Sequence, residues 1–521
     1  MRYYGITIGP IDATLALVSK PAGLWYASYM FSDITRMLCA YFSAEEKISI
    51  LSPYYEENEI VDGIGSYYDR VLFSFDTADK EEADRFVQET IHKVKTEVGN
   101  RLARDLGYGG DEDKVGKIAG YMCRYLCIHY ISVSDAEKGE KGVGEILSPY
   151  LDTLELYKSI PKSGEQNYLL TLLSGIEEGS EGTKEDSNRN IKNSELIKGI
   201  LDAGGQNLQL FVEGEKRIKN LAHISGAGEI KKYRGEEMPD TKGWKKWKYY
   251  AVVQADGDNL GKANGMLGDD LEIAKTCKRY TQRCAKLIGE NGGVTIFAGG
   301  DDLLFLAPLQ NREGKTIFSL CSEISEVYEK EFQEINRQLP IHAKTTLSIG
   351  IAVSYWKFPL YEALEYARRR LFTYAKETKN TLAVTLQKAS GSKIEWKYPF
   401  GSEKEKIFLR FMDDILKAEL QMQKDTKDGE KNNKTGSTIL HSVLYHLKEY
   451  EVLFINAIMR GEKEAGICLD NMFEENKSHG YFKGCREMIL NLIKDCRDID
   501  NVYGDIISIL RLIHFFAEKE E

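Results

Sequence analysis

Two regions of the chain show the same alternation of short apolar runs and longer amphipathic stretches. In residues 1–135, apolar β-forming runs lie at 4–8, 47–51, 71–75 and 125–133, and apolar positions recur at helical spacing near 24–42 and 83–98. Short apolar runs predict strands, and apolar residues every three or four positions predict helices. This region therefore predicts a βαββαβ order.

The same order recurs in residues 248–390. Strands are predicted at 249–255, on both sides of a Gly-Gly-Asp-Asp turn at 299–302, at 345–354 and at 382–386. Apolar faces at 273–288 and 317–328 predict two helices, and a third is predicted at 360–376, directly after Pro359. The predicted fold class is α+β, with two ferredoxin-like (βαββαβ) palm domains, a small linking domain and a C-terminal helical domain.

The domain boundaries follow from these patterns. We predict a first palm at 1–160, a linking region at 161–246, a second palm at 247–398 and a helical domain at 399–521. Residues 176–195 are rich in Glu, Gly, Ser, Asn and Lys, which predicts a mobile loop. Beyond Pro399 the best helical stretches are 440–458 and 488–516, and a charged loop is predicted at 424–434.

Composition narrows the function classes. The 521 residues are 42% hydrophobic and 29% charged, with a net charge of −11, so contact with nucleic acid is expected to be local or shared with partner subunits. No signal peptide and no apolar stretch of membrane-spanning length is found, which predicts a cytoplasmic protein without membrane contact. Nine scattered cysteines without a CxxC pair predict reduced thiols rather than a structural zinc site.

Two acidic motifs carry the candidate chemistry. A DGDN motif at 256–259 ends the strand at 249–255, and a GGDD motif at 299–302 forms the hairpin turn. Carboxylates at neighbouring strand tips repel one another unless a cation lies among them. We therefore predict that Asp256, Asp301 and Asp302 are catalytic and hold two Mg²⁺ or Mn²⁺ ions about 3.5–4 Å apart, as in two-metal nucleotidyl transfer.

The other members of these motifs are predicted to contact ATP. Gly299 and Gly300 tolerate the positive φ of a tight hairpin and lack a Cβ that would keep a nucleotide away from the backbone. The predicted ATP contacts in the first motif are Gly257, Asp258 and Asn259. The alternative for the GGDD motif alone is a plain acidic β-turn, and the alternative for Asp258 is a cap on the following helix.

Two lysines follow the last predicted palm helix. Lys376 and Lys379 are predicted to reach the ATP triphosphate as point charges, because in this topology the helix packs beside the acidic hairpin. Lysines at a helix C-terminus are also ordinary partners of the helix dipole, which is the alternative role. None of the eight histidines is followed by Asp, so a histidine-based metal nuclease is not predicted.

The chain resembles the large subunit of type III CRISPR RNA-guided effector complexes, of the Cmr branch (type III-B). Residues 8–11 with 23–29 are similar to the family's opening IGPVQ…DLWxGSxLLS segment, and residues 249–262 to its YYAxLxxDGDxMGK strand. The GGDD turn is the family's signature, and residues 347–352 with 359–364 are similar to its next strand–helix pair. These segments occur in the family's order and cover both palms.

The resemblance implies an ATP-using nucleotidyltransferase that is switched on when the complex binds target RNA through its CRISPR RNA. Its usual product is a cyclic oligoadenylate that activates a separate effector protein. The first palm would bind a substrate without metals, and the helical tail would dock on small subunits. The family's frequent His-Asp nuclease domain and the zinc site between the palms are not found, so DNase activity is not expected.

The first palm departs from the family pattern. Where relatives have Gln and a basic RKTRD run, this chain has Asp12 and SKPAG at 19–23, and where they have Pro-Asn-Arg it has Tyr-Asp-Arg at 68–70. An added carboxylate suits a cationic ligand better than a triphosphate. The predicted first-palm substrate residues are Asp12, Asp69 and Ser28.

The cationic ligand suggested by the resemblance is S-adenosylmethionine, to which some members without the nuclease domain are thought to join AMP. The alternative is that Asp12 and Asp69 are solvated, or paired with Arg2 or Arg70. Two other function classes also stay open. One is a stand-alone dinucleotide cyclase of the GGDEF type, which needs a single palm and usually a sensor. The other is a non-catalytic scaffold, for which clustered carboxylates serve no purpose.

Overall fold

Two β-sheets and many helices make up the structure, a computed structural model. It describes residues 1–57, 63–139, 141–157, 166–181, 194–202, 210–212, 218–226, 245–425, 436–473, 480–495 and 499–518. Within these ranges the predicted α+β class is confirmed.

The first sheet has four strands in the order β2-β3-β1-β4, and each neighbouring pair is antiparallel. The strands are β1 (Arg2–Gly9), β2 (Ile48–Ser52), β3 (Arg70–Phe75) and β4 (Cys127–Ser134). The helices of this region are α1 (Ile11–Leu15), α2 (Pro21–Ser43), α3 (Lys80–Asp105), α4 (Glu112–Tyr125), α5 (Asp135–Lys138) and α6 (Val143–Leu154). All four predicted strands and both predicted helices are present.

The second sheet has six strands in the order β10-β9-β8-β5-β7-β6, antiparallel except for the parallel pair β8 and β9. The strands are β5 (Tyr249–Asp258), β6 (Val294–Gly299), β7 (Asp302–Pro308), β8 (Thr346–Tyr355), β9 (Thr381–Gln387) and β10 (Lys393–Pro399). The sixth strand, β10, was not predicted, although its polar Lys393, Glu395 and Lys397 alternate with buried apolar residues.

The linking region and the second sheet carry the next group of helices. They are α7 (Tyr168–Glu181), α8 (Glu195–Asp202), α9 (Leu221–Ser225), α10 (Leu260–Leu267), α11 (Asp270–Glu290), α12 (Ile317–Glu331), α13 (Gln333–Arg337), α14 (Leu360–Arg369) and α15 (Lys376–Thr378). A π-helical turn at Arg370–Ala375 joins α14 to α15. The predicted mobile loop at 176–195 is wrong at both ends, where α7 continues to Glu181 and α8 begins at Glu195; residues 182–193 lie outside the described ranges.

In the described residues after 399, the regular elements are helices. They are α16 (Glu403–Asp425), α17 (Gly436–Glu449), α18 (Glu451–Arg460), α19 (Glu462–Met472), α20 (Gly480–Asp495) and α21 (Ile499–Ala517). Helix α16 includes Lys424, so the charged loop predicted at 424–434 starts too early, and residues 426–435 lie outside the described ranges. The helical stretch predicted at 440–458 is divided at Tyr450 between α17 and α18.

The two faces of β5 contact different cores. Tyr249, Ala251 and Val253 pack into a core shared with the C-terminal helices, whereas Tyr250 and Val252 pack into the core of the first sheet. Because successive side chains point to opposite faces, a strand covered on both faces is apolar at every position. The uninterrupted apolar run that predicted β5 therefore also reflects its place between two layers.

Candidate active site

Three carboxylates converge where β5 ends and the β6–β7 hairpin turns. One carboxylate oxygen each from Asp256, Asp301 and Asp302 lies within 4.8 Å of the others. Asp256 is near the end of β5, Asp301 is in the turn and Asp302 begins β7, which pairs with β5. Antiparallel pairing brings the end of one strand beside the start of the next, so local strand geometry brings the three groups together.

A glycine between the two strands permits this approach. A Cβ atom on Gly257 would lie 2.5 Å from Asp301 Oδ2 and 2.6 Å from the hydroxyl of Tyr328. Both distances are shorter than any real Cβ contact, so a larger residue would displace Asp301. Gly257 is therefore required by the packing of the acidic hairpin against β5.

The carboxylates hold protons more tightly than isolated aspartates. Loss of hydration and repulsion from Asp256 raise the pKa of Asp301 to about 7. Loss of hydration and repulsion from Asp301 and Asp256 also raise the pKa of Asp302. The side chain of Asp302 is nevertheless exposed on one side. Burial raises the pKa of Asp256, against the opposing effect of Lys376. Such a cluster is stabilised by bound cations.

Lys376 is the cationic side chain that contacts the cluster. Its Nζ lies 2.8 Å from Asp256 Oδ1 and donates a hydrogen bond of 2.5 Å to the carbonyl oxygen of Gly257. It also lies 3.6 Å from Asp258 Oδ1. The structure thus places Lys376 at the predicted site, in contact with an acidic side chain.

Asp258 does not face the cluster's open side. It is 1% exposed and accepts hydrogen bonds from the hydroxyls of Thr346 and Ser348 and from the backbone N–H of Asn380. The predicted ATP contact by Asp258 is contradicted by this burial. The alternative role as a helix cap is also wrong, because Asn259 occupies the cap position of α10. Asp258 instead ties β8 and the start of β9 to β5.

Asn259 and Lys379 lie together beside that clamp. Asn259 has a left-handed backbone, donates its side-chain amide to the carbonyl oxygen of Lys344 and accepts a 2.6 Å hydrogen bond from Lys379 Nζ. Lys379 thus contacts an uncharged amide and not an acidic group. The predicted contact of Asn259 and Lys379 with ATP stays a prediction.

The hairpin glycines, Gly299 and Gly300, pack against the segment before β3. A Cβ on Gly299 would meet the ring of Phe297 at 2.7 Å and the carbonyl oxygen of Ser66 at 3.2 Å. Gly300 has φ +65° and faces the ring of Tyr68 at 3.4 Å. The positive φ was predicted for the hairpin, but these positions face protein and not open space. The contact of a nucleotide with these glycines stays a prediction.

The predicted first-palm substrate residues, Asp12, Asp69 and Ser28, differ in burial and in their charged neighbours. Asp69 lies close enough to Asp12 and Glu155 for repulsion; burial and these charges raise the pKa of Asp69 to about 6. Asp69 also contributes to the raised pKa of Asp302, so the two acidic regions face each other. Asp12 is exposed on α1, whereas Ser28 is 7% exposed within α2 and offers little surface to a ligand.

The alternative pairing of these acids with arginines is partly wrong. Arg2 donates to Ser132. Arg70 lowers the pKa of Asp69 by its charge but forms its ion pairs with Asp152 and Glu155, both at 2.6 Å. The first-palm acidic region therefore consists of Asp69 with Glu155, and Asp12 nearby.

Several site residues were missed by the sequence analysis. Thr346 and Ser348 share one face at the start of an otherwise apolar strand, which was a usable signal for a buried polar partner. Tyr68 and Tyr328 pack against the hairpin region, and Glu155 reaches the first-palm acids from the end of α6. Their roles depend on contacts between distant segments, for which the sequence carries no local signal.

The donor set fits a hard divalent cation. Carboxylate oxygens are the ligands that Mg²⁺ and Mn²⁺ prefer, and the oxygens of Asp256, Asp301 and Asp302 are close enough to share ions. This is the one group of three or more candidate metal ligands among the residues that the structure describes. No described helix is long and apolar enough to span a bilayer.

Comparisons with known proteins show which proteins this chain is similar to. Residues 249–383 match the protein family described as Cas10/Cmr2, second palm domain. The CRISPR system Cmr subunit Cmr2 of Pyrococcus furiosus is 26% identical over 275 residues, covering 46% of this chain and 29% of that protein. The matched part of this chain thus spans less than a third of the curated relative.

Two solved structures share the fold. One is the Csm1–Csm4 subcomplex of the type III-A CRISPR-Csm interference complex, with a TM-score of 0.52 and 14% identity over 99% of this chain and 70% of that chain. The other is the type III-B Cmr-beta complex in its apo state, with a TM-score of 0.51 and 11% identity over 99% of this chain and 82% of that chain. The resemblance predicted from the sequence motifs is confirmed.

Proposed function

We propose that this chain is a type III CRISPR large subunit of the Cas10/Cmr2 kind, to which it is similar, and that it is a metal-dependent nucleotidyltransferase that makes an adenylate messenger from ATP. The observation that carries the proposal is the convergence of Asp256, Asp301 and Asp302 within 4.8 Å, beside Lys376. We take the two sheets as ferredoxin-like palms, the second of them catalytic. The default product is a cyclic oligoadenylate.

Each residue of the site has a distinct role in this proposal. Asp256, Asp301 and Asp302 would hold two Mg²⁺ or Mn²⁺ ions, and the chemistry that such ions would supply there is activation of a 3′-hydroxyl and compensation of charge on a leaving pyrophosphate. Lys376 and Lys379 supply positive charge to the triphosphate from the rim of the site. Asp258 holds the Lys376–Asn380 segment in place through its bond from the Asn380 N–H. Positioning and electrostatics provide most of the rate.

The biological setting is part of the same proposal. The chain would act within a type III effector complex, together with its other subunits, a CRISPR RNA and a target RNA that switches on synthesis. A structural relative, the type III-B Cmr-beta complex, is described bound to cognate target RNA, with a TM-score of 0.51. The helical region from α16 to α21 would dock on small subunits, and the complex would work in the cytoplasm.

The test uses the assembled complex with labelled ATP, Mg²⁺ or Mn²⁺ and target RNA. The Asp301→Ala, Asp302→Ala double variant should lose product by at least about a hundredfold while assembly is unchanged, since the metal ligands are removed. The matched control is Glu81→Ala with Glu82→Ala, an exposed acidic pair on α3, which should keep full activity. Retained synthesis in the first variant would refute the site.

A second candidate product follows from the first-palm acids. Asp69, Glu155 and Asp12 place negative charge opposite Asp302, which favours a cationic second substrate over a second triphosphate. The ammonium and sulfonium groups of S-adenosylmethionine meet this requirement, so that AMP from ATP would be joined to that molecule. In this reading the second palm does the same chemistry on a different acceptor.

One reaction set separates the candidates. Product from ATP alone supports cyclic oligoadenylate, product that requires added S-adenosylmethionine supports the conjugate, and no product under any condition supports a scaffold. Asp69→Asn should weaken the cationic substrate's apparent affinity by about tenfold and ATP's by less than about twofold, because one carboxylate charge is removed. Equal effects on the two substrates would contradict a cation site in the first palm.

A further inference from the structure

The segment that precedes β3, residues 63–68, connects the first-sheet region to the acidic hairpin. On one side it is bonded to α2. The indole N–H of Trp25 donates to a carbonyl oxygen of the segment at 2.7 Å, and Ser32 Oγ accepts one of its backbone N–H groups at 2.8 Å. On the other side, Gly65 forms a parallel bridge with Phe297 of β6. The segment is therefore fixed both to α2 and to the strand that leads into the hairpin.

Tyr68, the last residue of this segment, lies against the turn of the hairpin. A Cβ atom on Gly300 would lie 3.4 Å from Cδ1 of the Tyr68 ring, which is an ordinary packing distance. Burial raises the pKa of the Tyr68 hydroxyl and the charge of Asp301 adds to the rise, so the phenol and this carboxylate are neighbours. Because Gly300 directly precedes Asp301 and Asp302 in the chain, the ring contacts the turn from which two of the three clustered carboxylates project.

The Tyr68 side chain is anchored at both of its ends. Its hydroxyl forms a hydrogen bond with Ser52 Oγ at the end of β2, where Ser52 is 8% exposed. Its backbone is held next to β1, because the carbonyl oxygen of Asp69 accepts the Ile8 N–H at 2.9 Å. A side chain that is fixed by packing and by hydrogen bonds forms a rigid support for the groups that lie on it.

We propose that Tyr68 is a positioning residue for the metal site, which holds the hairpin turn so that Asp301 and Asp302 stay close to Asp256. The inference rests on the proposed function, since it requires that these carboxylates bind divalent ions. Groups that orient metal ligands without contacting the metal change metal affinity or activity by about 10–100-fold when they are removed. A ring that only filled space would affect stability and leave metal affinity unchanged.

The test titrates the full-length chain with Mn²⁺ in the absence of ATP, by electron paramagnetic resonance. Tyr68→Ala removes the ring and should weaken Mn²⁺ binding by about tenfold or more, and the Mn²⁺ concentration for half-maximal synthesis should rise by a similar factor. Tyr68→Phe keeps the ring and should restore Mn²⁺ affinity to within about threefold of wild type. Ser52→Ala removes the same hydrogen bond from the other side, so it should match Tyr68→Phe.

Tyr41→Ala is the matched control. Tyr41 is a half-buried tyrosine on α2 whose hydroxyl donates to Glu97 at 2.8 Å, so the same substitution removes a ring and a bond elsewhere in the first-sheet region. It should leave Mn²⁺ affinity unchanged, and thermal unfolding should show that every variant is folded. If Tyr68→Ala is unfolded, Tyr68→Leu takes its place and should bind Mn²⁺ at least about threefold more weakly than Tyr68→Phe.

The outcomes separate the positioning role from the metal site itself. Wild-type Mn²⁺ affinity in Tyr68→Ala, an equal loss in Tyr41→Ala, or the same affinity in Tyr68→Leu and Tyr68→Phe would overturn the positioning role and leave the proposed function standing. Wild-type Mn²⁺ binding by the Asp301→Ala, Asp302→Ala variant would instead overturn the metal site, and with it the proposed function.

Discussion

Lys376 is the residue on which the charge balance of the acidic cluster depends. Its ammonium group lies 2.8 Å from Asp256 Oδ1 and bonds the carbonyl oxygen of Gly257. A cation at this distance reduces the repulsion among the carboxylates and lowers the pKa of Asp256 and Asp301. The ammonium group of Lys376 therefore competes with a divalent ion for Asp256 Oδ1.

We predict that Lys376→Met has opposite effects on metal binding and on catalysis. Without ATP, Mn²⁺ should bind about three- to tenfold more tightly, since a competing ammonium group is removed from Asp256. Synthesis from ATP should fall by at least about tenfold, since charge opposite the triphosphate is lost. Manganese binding is measured by electron paramagnetic resonance, and synthesis by product formation at saturating metal.

The matched control for this prediction is Lys379→Met. Lys379 bonds the amide oxygen of Asn259 and not a carboxylate of the cluster, so Mn²⁺ affinity should stay at the wild-type value. The same gain in Mn²⁺ affinity in both variants would contradict a direct role for Lys376 as the resting counter-ion.

Asp69 should make stability depend on pH. The folded-state pKa is raised to about 6, above the unfolded value near 3.8, so the folded chain holds the proton more tightly. Stability from this group is therefore present below about pH 4 and is lost as pH rises through 6. Asp69→Asn should gain about 1–2 kcal/mol relative to wild type between pH 4 and pH 7, measured by thermal unfolding.

The control for Asp69 is its neighbour in the acidic region. Asp12 is exposed on α1, so Asp12→Asn should change the pH profile less than Asp69→Asn does. If the difference between Asp69→Asn and wild type is the same at both pH values, Asp69 is not buried against Glu155 as described.

At the scale of elements, the π-helical turn at Arg370–Ala375 sets the direction in which α15 leaves the second sheet. A Cβ on Gly350 of β8 would collide with the backbone of Ala367 and Leu371, so the helix lies directly on that strand. Arg370 is buried there, contacts Thr385 and Glu395, and lies 4.2 Å over the ring of Tyr374. The wider turn adds a residue before Lys376 and so aims it at the acidic cluster.

We predict that Gly350→Ala separates Lys376 from Asp256 by displacing this helix. Overpacking should cost about 1–3 kcal/mol of stability, and synthesis at saturating ATP should fall by at least about tenfold because Lys376 moves. Both are measured on the same preparation, by thermal unfolding and by product formation below the unfolding transition.

Ala363→Gly is the control for a merely structural effect. Ala363 is buried on the same helix, and the change should cost about 1 kcal/mol in helix propensity without pushing the helix from β8. Activity that falls equally in both variants would show that stability alone, and not the position of Lys376, explains the loss.

At the scale of the whole molecule, hydrogen bonds between distant segments connect the regions of the two sheets near the acidic side chains. The Ala298 N–H donates to the carbonyl oxygen of Gly65 at 2.8 Å, which ties the acidic hairpin to the segment before β3. Asp270, 7% exposed at the start of α11, accepts from the N–H groups of Val143 and Gly144 at the start of α6. Because α6 carries Glu155 just beyond its end, this contact also positions the first-palm acids.

We predict that Asp270→Ala loosens the two sheets without unfolding either. The buried N–H groups of Val143 and Gly144 lose their acceptor, which should cost about 1–3 kcal/mol. Hydrogen exchange should speed up in α6, and synthesis should fall because substrates in the two palms are no longer aligned. Both are measured on the full chain in its complex.

The adjacent residue provides the control for this contact. Asp269 caps α11 through the N–H of Glu272 and has no described bond to α6. Asp269→Ala should therefore cost about 1 kcal/mol of stability and leave exchange in α6 unchanged. Faster exchange in α6 for both variants would assign the effect to α11 and not to the bridge.

The sequence alone determined the α+β class, the strands next to the acidic motifs and the meeting of Asp256 with Asp301 and Asp302. These features depend on side-chain periodicity and on a hairpin that pairs with its neighbour, which are local properties of the chain. The same local reasoning failed for Asp258, because its environment is made by segments far away in the chain.

Tertiary structure decided what each of those residues faces. The segment before β3 packs against the hairpin glycines, β8 and the residue before β9 bury Asp258, and the first-sheet region brings Asp69 near Asp302. Burial and charge depend on every element packed around a group, and a pattern read along one segment does not contain that information.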